Sequence, residues 1–83
     1  MDVPVPEYPA NSRRKAEQGV VLLEVEVLPD GHAGAISVVE DGGLTQLSKA
    51  ATEAARRGRY RPAMVGGVAV RSVIRLPFRF VLE

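Results

Sequence analysis

From Val68 to Glu83 the chain alternates with a period of two. Val68, Val70, Ile74, Leu76, Phe78, Phe80 and Leu82 stand at even positions, with Arg71, Arg75 and Arg79 at odd ones. That period puts apolar side chains on one face of a β-strand and charges on the other. Read as one strand, the segment would extend for about 50 Å at roughly 3.3 Å per residue, beyond the usual five or six residues. Much of its backbone is therefore expected to lack a partner within its own domain, and an unpaired strand edge is a surface for binding.

A chain of 83 residues holds one domain, close to the lower size limit for a self-sufficient core. It has no cysteine, so no disulfide reinforces that core. Eleven basic and ten acidic residues leave a net charge of +1, which argues against a nucleic-acid binder relying on neutralised phosphates. Nine of the eleven basic residues are arginine, grouped at Arg56, Arg57, Arg59 and Arg61 and again on the last strand. No apolar run reaches the roughly 18 to 20 residues that a membrane-spanning helix needs.

Pro4, Pro6 and Pro9 make residues 1–9 an extended arm or linker end, followed by a domain over 10–83. Pro9 suits the first turn of a helix, and the spacing predicts a short helix over about 10–17 with Gly19 as its stop and Tyr8, Ala10 and Ala16 as its apolar anchors. Val21, Leu23, Val25 and Val27 share one face of a strand over 20–28, with Glu24 and Glu26 on the other. Pro29, Asp30 and Gly31 supply the turn, and a returning strand over 33–40 should point Ile36 and Val38 inward. After Asp41, Gly42 and Gly43, the spacing of Leu44, Leu47, Ala51, Ala54 and Ala55 predicts the main helix over 44–57, ended by Gly58. The fold class is α+β: a short helix, then β-β-α-β, with a three-stranded antiparallel or mixed sheet in the order two, one, three and the main helix on one face. The last strand is then an edge, where Pro77 fits because it cannot donate to a ladder.

Catalytic chemistry has little support. His32 lies alone in a turn beside Asp30, no second histidine or cysteine completes a metal site, and Ser12, Ser37, Ser48 and Ser72 have no context that would activate a nucleophile. The glycine pairs Gly42-Gly43 and Gly66-Gly67 lack the Lys and Ser or Thr of a phosphate loop and read as connectors. No enzyme, cofactor or metal is expected. Tyr8 and Tyr60 read as buried rings with solvated hydroxyls, and Phe78 and Phe80 as core residues.

A series of short matches in order along the chain carries a family resemblance: Tyr8-Pro9-Ala10, Gly19-Val20, Val27-Leu28-Pro29-Asp30-Gly31, Ala50-Ala51 with Ala54, Tyr60-Arg61-Pro62-Ala63, and Leu76-Pro77-Phe78-Arg79-Phe80. Together they resemble the TonB C-terminal domain family, the periplasmic part of an energy transducer of Gram-negative bacteria. The resemblance implies a domain that binds outer-membrane transporters through their TonB box, a short N-terminal peptide added as a strand to the domain's last strand. That act couples inner-membrane proton-motive force to uptake of siderophores, cobalamin or similar nutrients. The implied contacts are Glu7, Tyr8, Pro9 and Ala10, and the strand residues Val70, Arg71, Ser72, Val73, Ile74, Arg75, Leu76, Pro77, Phe78, Arg79 and Phe80. The resemblance also implies an N-terminal membrane helix anchoring the full-length protein to the inner membrane, where an ExbB/ExbD-type complex would be its partner. Pro4 and Pro6 would then be the stub of a proline-rich linker. Relatives often carry an aromatic residue at the position of Gly58, so weaker packing beside Tyr60 is expected. The alternative from the residues alone is a homodimerising β-edge module on another carrier protein, without a transporter partner.

Overall fold

Val21, Leu23, Val25 and Val27 become the centre of the molecule because their strand is paired on both sides. In the computed structural model, which describes residues 1–83, they are at most 1% exposed and lie on β1 (Gly19–Val27). Burying a Val or Leu side chain is worth about 1.5–3 kcal/mol, so this one face is the largest concentration of hydrophobic stabilisation in the chain. α1 (Ala10–Arg14) precedes β1, and β2 (Ala33–Glu40), α2 (Thr45–Arg56), β3 (Ala63–Val65), β4 (Val68–Val70) and β5 (Ser72–Phe80) follow it. The main sheet has the order β2-β1-β5 with both pairings antiparallel, which is the predicted two, one, three arrangement in an α+β fold.

The turn between β1 and β2 works as its residues foretell. Asp30 Oδ1 accepts the His32 N–H at 3.0 Å, and Gly31 takes φ 88°. The Gly31 carbonyl accepts the Tyr60 N–H at 2.8 Å, which ties this turn to the segment after α2. α2 buries Leu47, Ser48, Ala51, Ala54 and Ala55 and packs chiefly on β2 and β1. Its small side chains let the helix approach closely.

The inner face of β5 is closed largely by the N-terminal segment. Tyr8 meets Phe80 edge to face with ring centroids 5.5 Å apart, and its hydroxyl donates to the Glu17 carbonyl. Val3 also packs on the core, and Asp2 forms a two-bond antiparallel bridge with Arg59 at 2.7 and 2.8 Å. Residues 1–9 are extended and docked against the body of the protein.

Several local expectations are corrected. The first helix stops at Arg14, because the Glu17 N–H bonds back to Ser12 and the Ala16 N–H to Arg13, a Schellman closure that puts Ala16 at φ 54°. Gly19 begins β1 instead, and Ala10 and Ala16 are exposed while Ser12 is buried. Val38 stands opposite Leu23 and so on the inner face, as expected, yet it is 45% exposed at this end of the edge strand. The strand expected over Val68–Glu83 is divided. Val68–Val70 pairs with Ala63–Val65 as a separate hairpin, Arg71 has no strand partner, and β5 ends at Phe80. Val68 is therefore 64% exposed and not inward.

Gly58 does not loosen the packing beside Tyr60. It makes room for it: a Cβ there would lie 2.7 Å from the Tyr60 hydroxyl and 2.9 Å from the ring. The Tyr60 ring is 6% exposed, and its hydroxyl is buried and donates to the Ala55 carbonyl at 2.7 Å, where a solvated hydroxyl was expected.

Three outcomes follow from this packing. Ala16→Gly should raise stability by about 0.5–1 kcal/mol in urea denaturation, because the left-handed conformation penalises a Cβ by more than glycine loses in chain entropy. Gly31→Ala should lower it by more than about 1 kcal/mol, since φ is positive and a Cβ would lie 2.7 Å from the Tyr60 carbonyl oxygen. Burial raises the Tyr60 phenol above its ordinary value of 10.0. The folded state then holds its proton more tightly than the unfolded chain, so stability is complete below about pH 10 and falls as the pH rises through the raised folded value. Denaturation midpoints across pH 9 to 12 should show a decline that Tyr60→Phe flattens.

Candidate functional site

β5 is an edge strand whose two sides differ because its register with β1 is unbroken. Nine pairs run from Gly19 opposite Phe80 to Val27 opposite Ser72. In an antiparallel ladder the N–H and C=O of one residue point the same way, and successive residues alternate. Pro77 stands opposite Leu22 and has no N–H to give, which places its peptide groups on the outer side. Two neighbouring bonds agree with this parity. The Leu82 N–H turns back to Gln18 Oε1 at 2.8 Å, and just past β1 the Leu28 N–H goes to the His32 carbonyl at 2.9 Å, away from β5. Even residues of β5 therefore bond to β1, while Val73, Arg75, Pro77 and Arg79 turn their peptide groups to the open edge.

Side chains follow the same parity. Phe78 and Phe80 are buried and Ile74 and Leu76 half-buried on the inner face, while Val73, Arg75, Pro77 and Arg79 are exposed on the outer one. The outer face is a ladder of cross-strand pairs. Glu24 faces Arg75, with 3.6 Å between carboxylate and guanidinium, and Glu26 pairs with Arg71. The Glu26 carboxyl also accepts the Ala35 N–H at 2.9 Å, and this bond first, with the Arg71 bond second, holds it below its ordinary value of 4.5. Arg79 lies opposite Val20 and has no acidic partner.

The edge thus offers outward donors at Val73, Arg75 and Arg79, outward acceptors at those residues and at Pro77, apolar side chains on one flank and arginines on the other. An extended peptide fits this pattern, and no group of three or more His, Cys, Asp or Glu that could hold a metal ion is present.

The sequence-predicted contacts fall into three places. Ser72 to Phe80 form β5. Val70 belongs to β4 and Arg71 to the junction, so these two lie beyond the main sheet. Tyr8 joins β5 through Phe80, whereas Glu7 and Pro9 line a shallow polar groove with Gln46, Lys49, Ala50, Glu53 and Arg57 of α2, and Ala10 is exposed at the start of α1. Sequence reasoning missed the β3–β4 hairpin. Its signal was available, because two glycines between short apolar runs are the mark of a tight hairpin turn.

Comparison with known proteins gives a consistent result. The family model described as "Gram-negative bacterial TonB protein C-terminal" matches residues 4–82. Protein tonB2 of Pseudomonas aeruginosa is 38% identical over 80 residues, which is 96% of this chain and 30% of that protein. Protein TonB of Neisseria gonorrhoeae is 42% identical over 59 residues, 71% of this chain and 21% of that protein. The chain thus spans about a fifth to a third of these relatives. In fold, the solution NMR structure of the Pseudomonas aeruginosa TonB CTD superposes with a TM-score of 0.82 at 23% identity, over 100% of this chain and 84% of that one. The chain belongs to the TonB C-terminal domain family, whose proteins are energy transducers of Gram-negative bacteria and not enzymes.

Proposed function

We propose that this chain is the periplasmic, partner-binding domain of a TonB-like transducer, and that it takes the TonB box of an outer-membrane transporter as an added strand on the open edge of β5. The observation that carries this reading is the row of outward peptide groups at Val73, Arg75, Pro77 and Arg79, which has no partner within the chain. Main-chain bonds of this kind give affinity with little demand on sequence, while Ile74 and Leu76 on one flank and the arginines on the other select among partners. In the longer protein, an inner-membrane anchor and an ExbB/ExbD-type complex would supply energy from the proton-motive force, and the cargo would be nutrients of the siderophore or cobalamin kind. The docked N-terminal segment, with Tyr8 seated on Phe80, ties the upstream chain to the same strand that holds the box.

The same open edge supports a second reading, in which two copies pair edge to edge as a homodimer. Light scattering over a concentration series separates the two: a monomer at every concentration removes the dimer.

The test of strand addition is a contrast between two substitutions at one site. Arg75→Pro removes an outward donor without touching the ladder to β1, whereas Arg75→Ala removes a charge already engaged by Glu24. A box peptide titrated into the labelled domain should shift the amide signals of residues 70–80. Arg75→Pro should weaken binding by about fivefold or more, the equivalent of one lost hydrogen bond of about 1 kcal/mol, and Arg75→Ala by less than about threefold. Equal losses, with the Pro variant folded, would assign recognition to side chains.

A further inference from the structure

The hairpin that interrupts the last strand does not interrupt its open edge. Gly66 and Gly67, at φ 55° and 80°, form a two-residue turn with both central residues left-handed, the primed type that closes a hairpin on a hydrogen-bonded pair. That pair is Val65 with Val68, so Val68 and Val70 turn their peptide groups toward β3 and Ala69 turns its own away. The parity is the one found in β5, where even residues bond inward. The chain entering β3 is tied to the β1–β2 turn by the Tyr60–Gly31 hydrogen bond of 2.8 Å, an anchor that favours β3 on the β1 side. The outward peptide groups of Ala69 and Arg71 therefore continue in line with those of Val73, Arg75, Pro77 and Arg79. From Ala69 to Arg79 this edge runs about 33 Å at roughly 3.3 Å per residue.

Side chains along the added part differ from those of β5. Met64, Val65 and Val68 are 59%, 65% and 64% exposed, and β4 presents Val68 and Val70 on one face and Ala69 on the other. A strand laid beside β4 would meet apolar neighbours on both faces, whereas beside β5 it meets half-buried Ile74 and Leu76 on one face and Arg75 and Arg79 on the other.

We propose that the binding edge extends past the main sheet along β4, and that its occupant is an extended transporter segment of about eleven residues, apolar on both faces where it lies against the hairpin and polar on its outer face against β5. The proposal rests on the strand-addition reading and adds to it the length and composition of the ligand. Ala69 and Arg71 then become binding residues through their main chains.

The probes are two peptides from the periplasm-facing N-terminal segment of a TonB-dependent transporter of the same organism: the six-residue box and a native twelve-residue stretch containing it. Calorimetry should show the longer peptide binding at least about fivefold more tightly, from two further main-chain positions. Hydrogen exchange on the unmodified domain should show protection of the Ala69 and Arg71 amides by the long peptide only. Ala69→Pro removes an outward donor while leaving the β3 pairing intact, and should erase the gain while the short peptide binds as before. Equal affinities of the two peptides, or long-peptide protection confined to Val73, Arg75 and Arg79, would overturn the extended edge and leave strand addition standing. Failure of both peptides to shift any β5 amide would overturn strand addition itself. If Ala69→Pro unfolds the hairpin, the exchange measurement on the unmodified chain decides alone.

Discussion

The ladder between β1 and β5 is the constraint on which the core and the open edge both depend. Its nine pairs fix which residues of β5 look inward, and the alternation of a strand then allows no separate choice for side chain and peptide group. From Ile74 to Phe80 each even residue gives its side chain to the core and its peptide groups to β1. Every odd residue is left with both turned outward. A slip of one residue would send Arg75 and Arg79 onto the face of β1 that carries Val21, Leu23 and Val25 and bring Phe78 and Phe80 into water, at the cost of buried, unpaired charge. Hydrophobic burial thus specifies the open edge, the proposed recognition surface, indirectly.

The parts of this design legible in the sequence are those set by local alternation and turn chemistry. β1 could be read from its valines, α2 from the spacing of Leu47, Ala51 and Ala54, and the β1–β2 turn from Pro29, Asp30 and Gly31, because each rests on neighbours in the chain. The division at Arg71 left only a slight mark on the periodicity, at Ser72 and Val73, where the even position turns polar and the odd one apolar, and the pattern carries no record of which partner each half meets. Gly66-Gly67 held the missing information, but as turn chemistry rather than as pattern. The docking of residues 1–9 depends on the Asp2–Arg59 bridge and on Tyr8 meeting Phe80, contacts between distant positions with no local signature. Gly58 is intelligible only once the Tyr60 ring is seen to occupy the space that a side chain would need.

For the candidate site, Pro77 announced an edge, and the same residue later fixed the parity of the outward groups. The predicted contact list mixed three environments because a sequence shows that residues are near each other in the chain, not which side of a ladder they face. Glu7, Pro9 and Ala10 lie apart from the β5 edge, whereas Tyr8 reaches it by packing on the inner face of Phe80.

The sheet has two edges, and their geometry explains why an added strand would choose β5. β2 carries no Lys, Arg or Pro and exposes Val38 and Val39, so on composition it is the less protected edge. It is also irregular: its pairing with β1 shifts register twice, and the Glu26 side chain, not the β1 backbone, takes the Ala35 N–H. Such shifts bend and twist a strand and break the even spacing of free peptide groups that an incoming chain must match over several residues. β5 has the opposite combination. Its ladder is regular from end to end, so its outward groups are evenly spaced, while Pro77 and the arginines limit how readily an unrelated edge can pair with it. In the proposed strand addition, discrimination would come from one missing donor and a run of cations on a regular edge, and it would fall hardest on partners that need a complete ladder or bring positive charge.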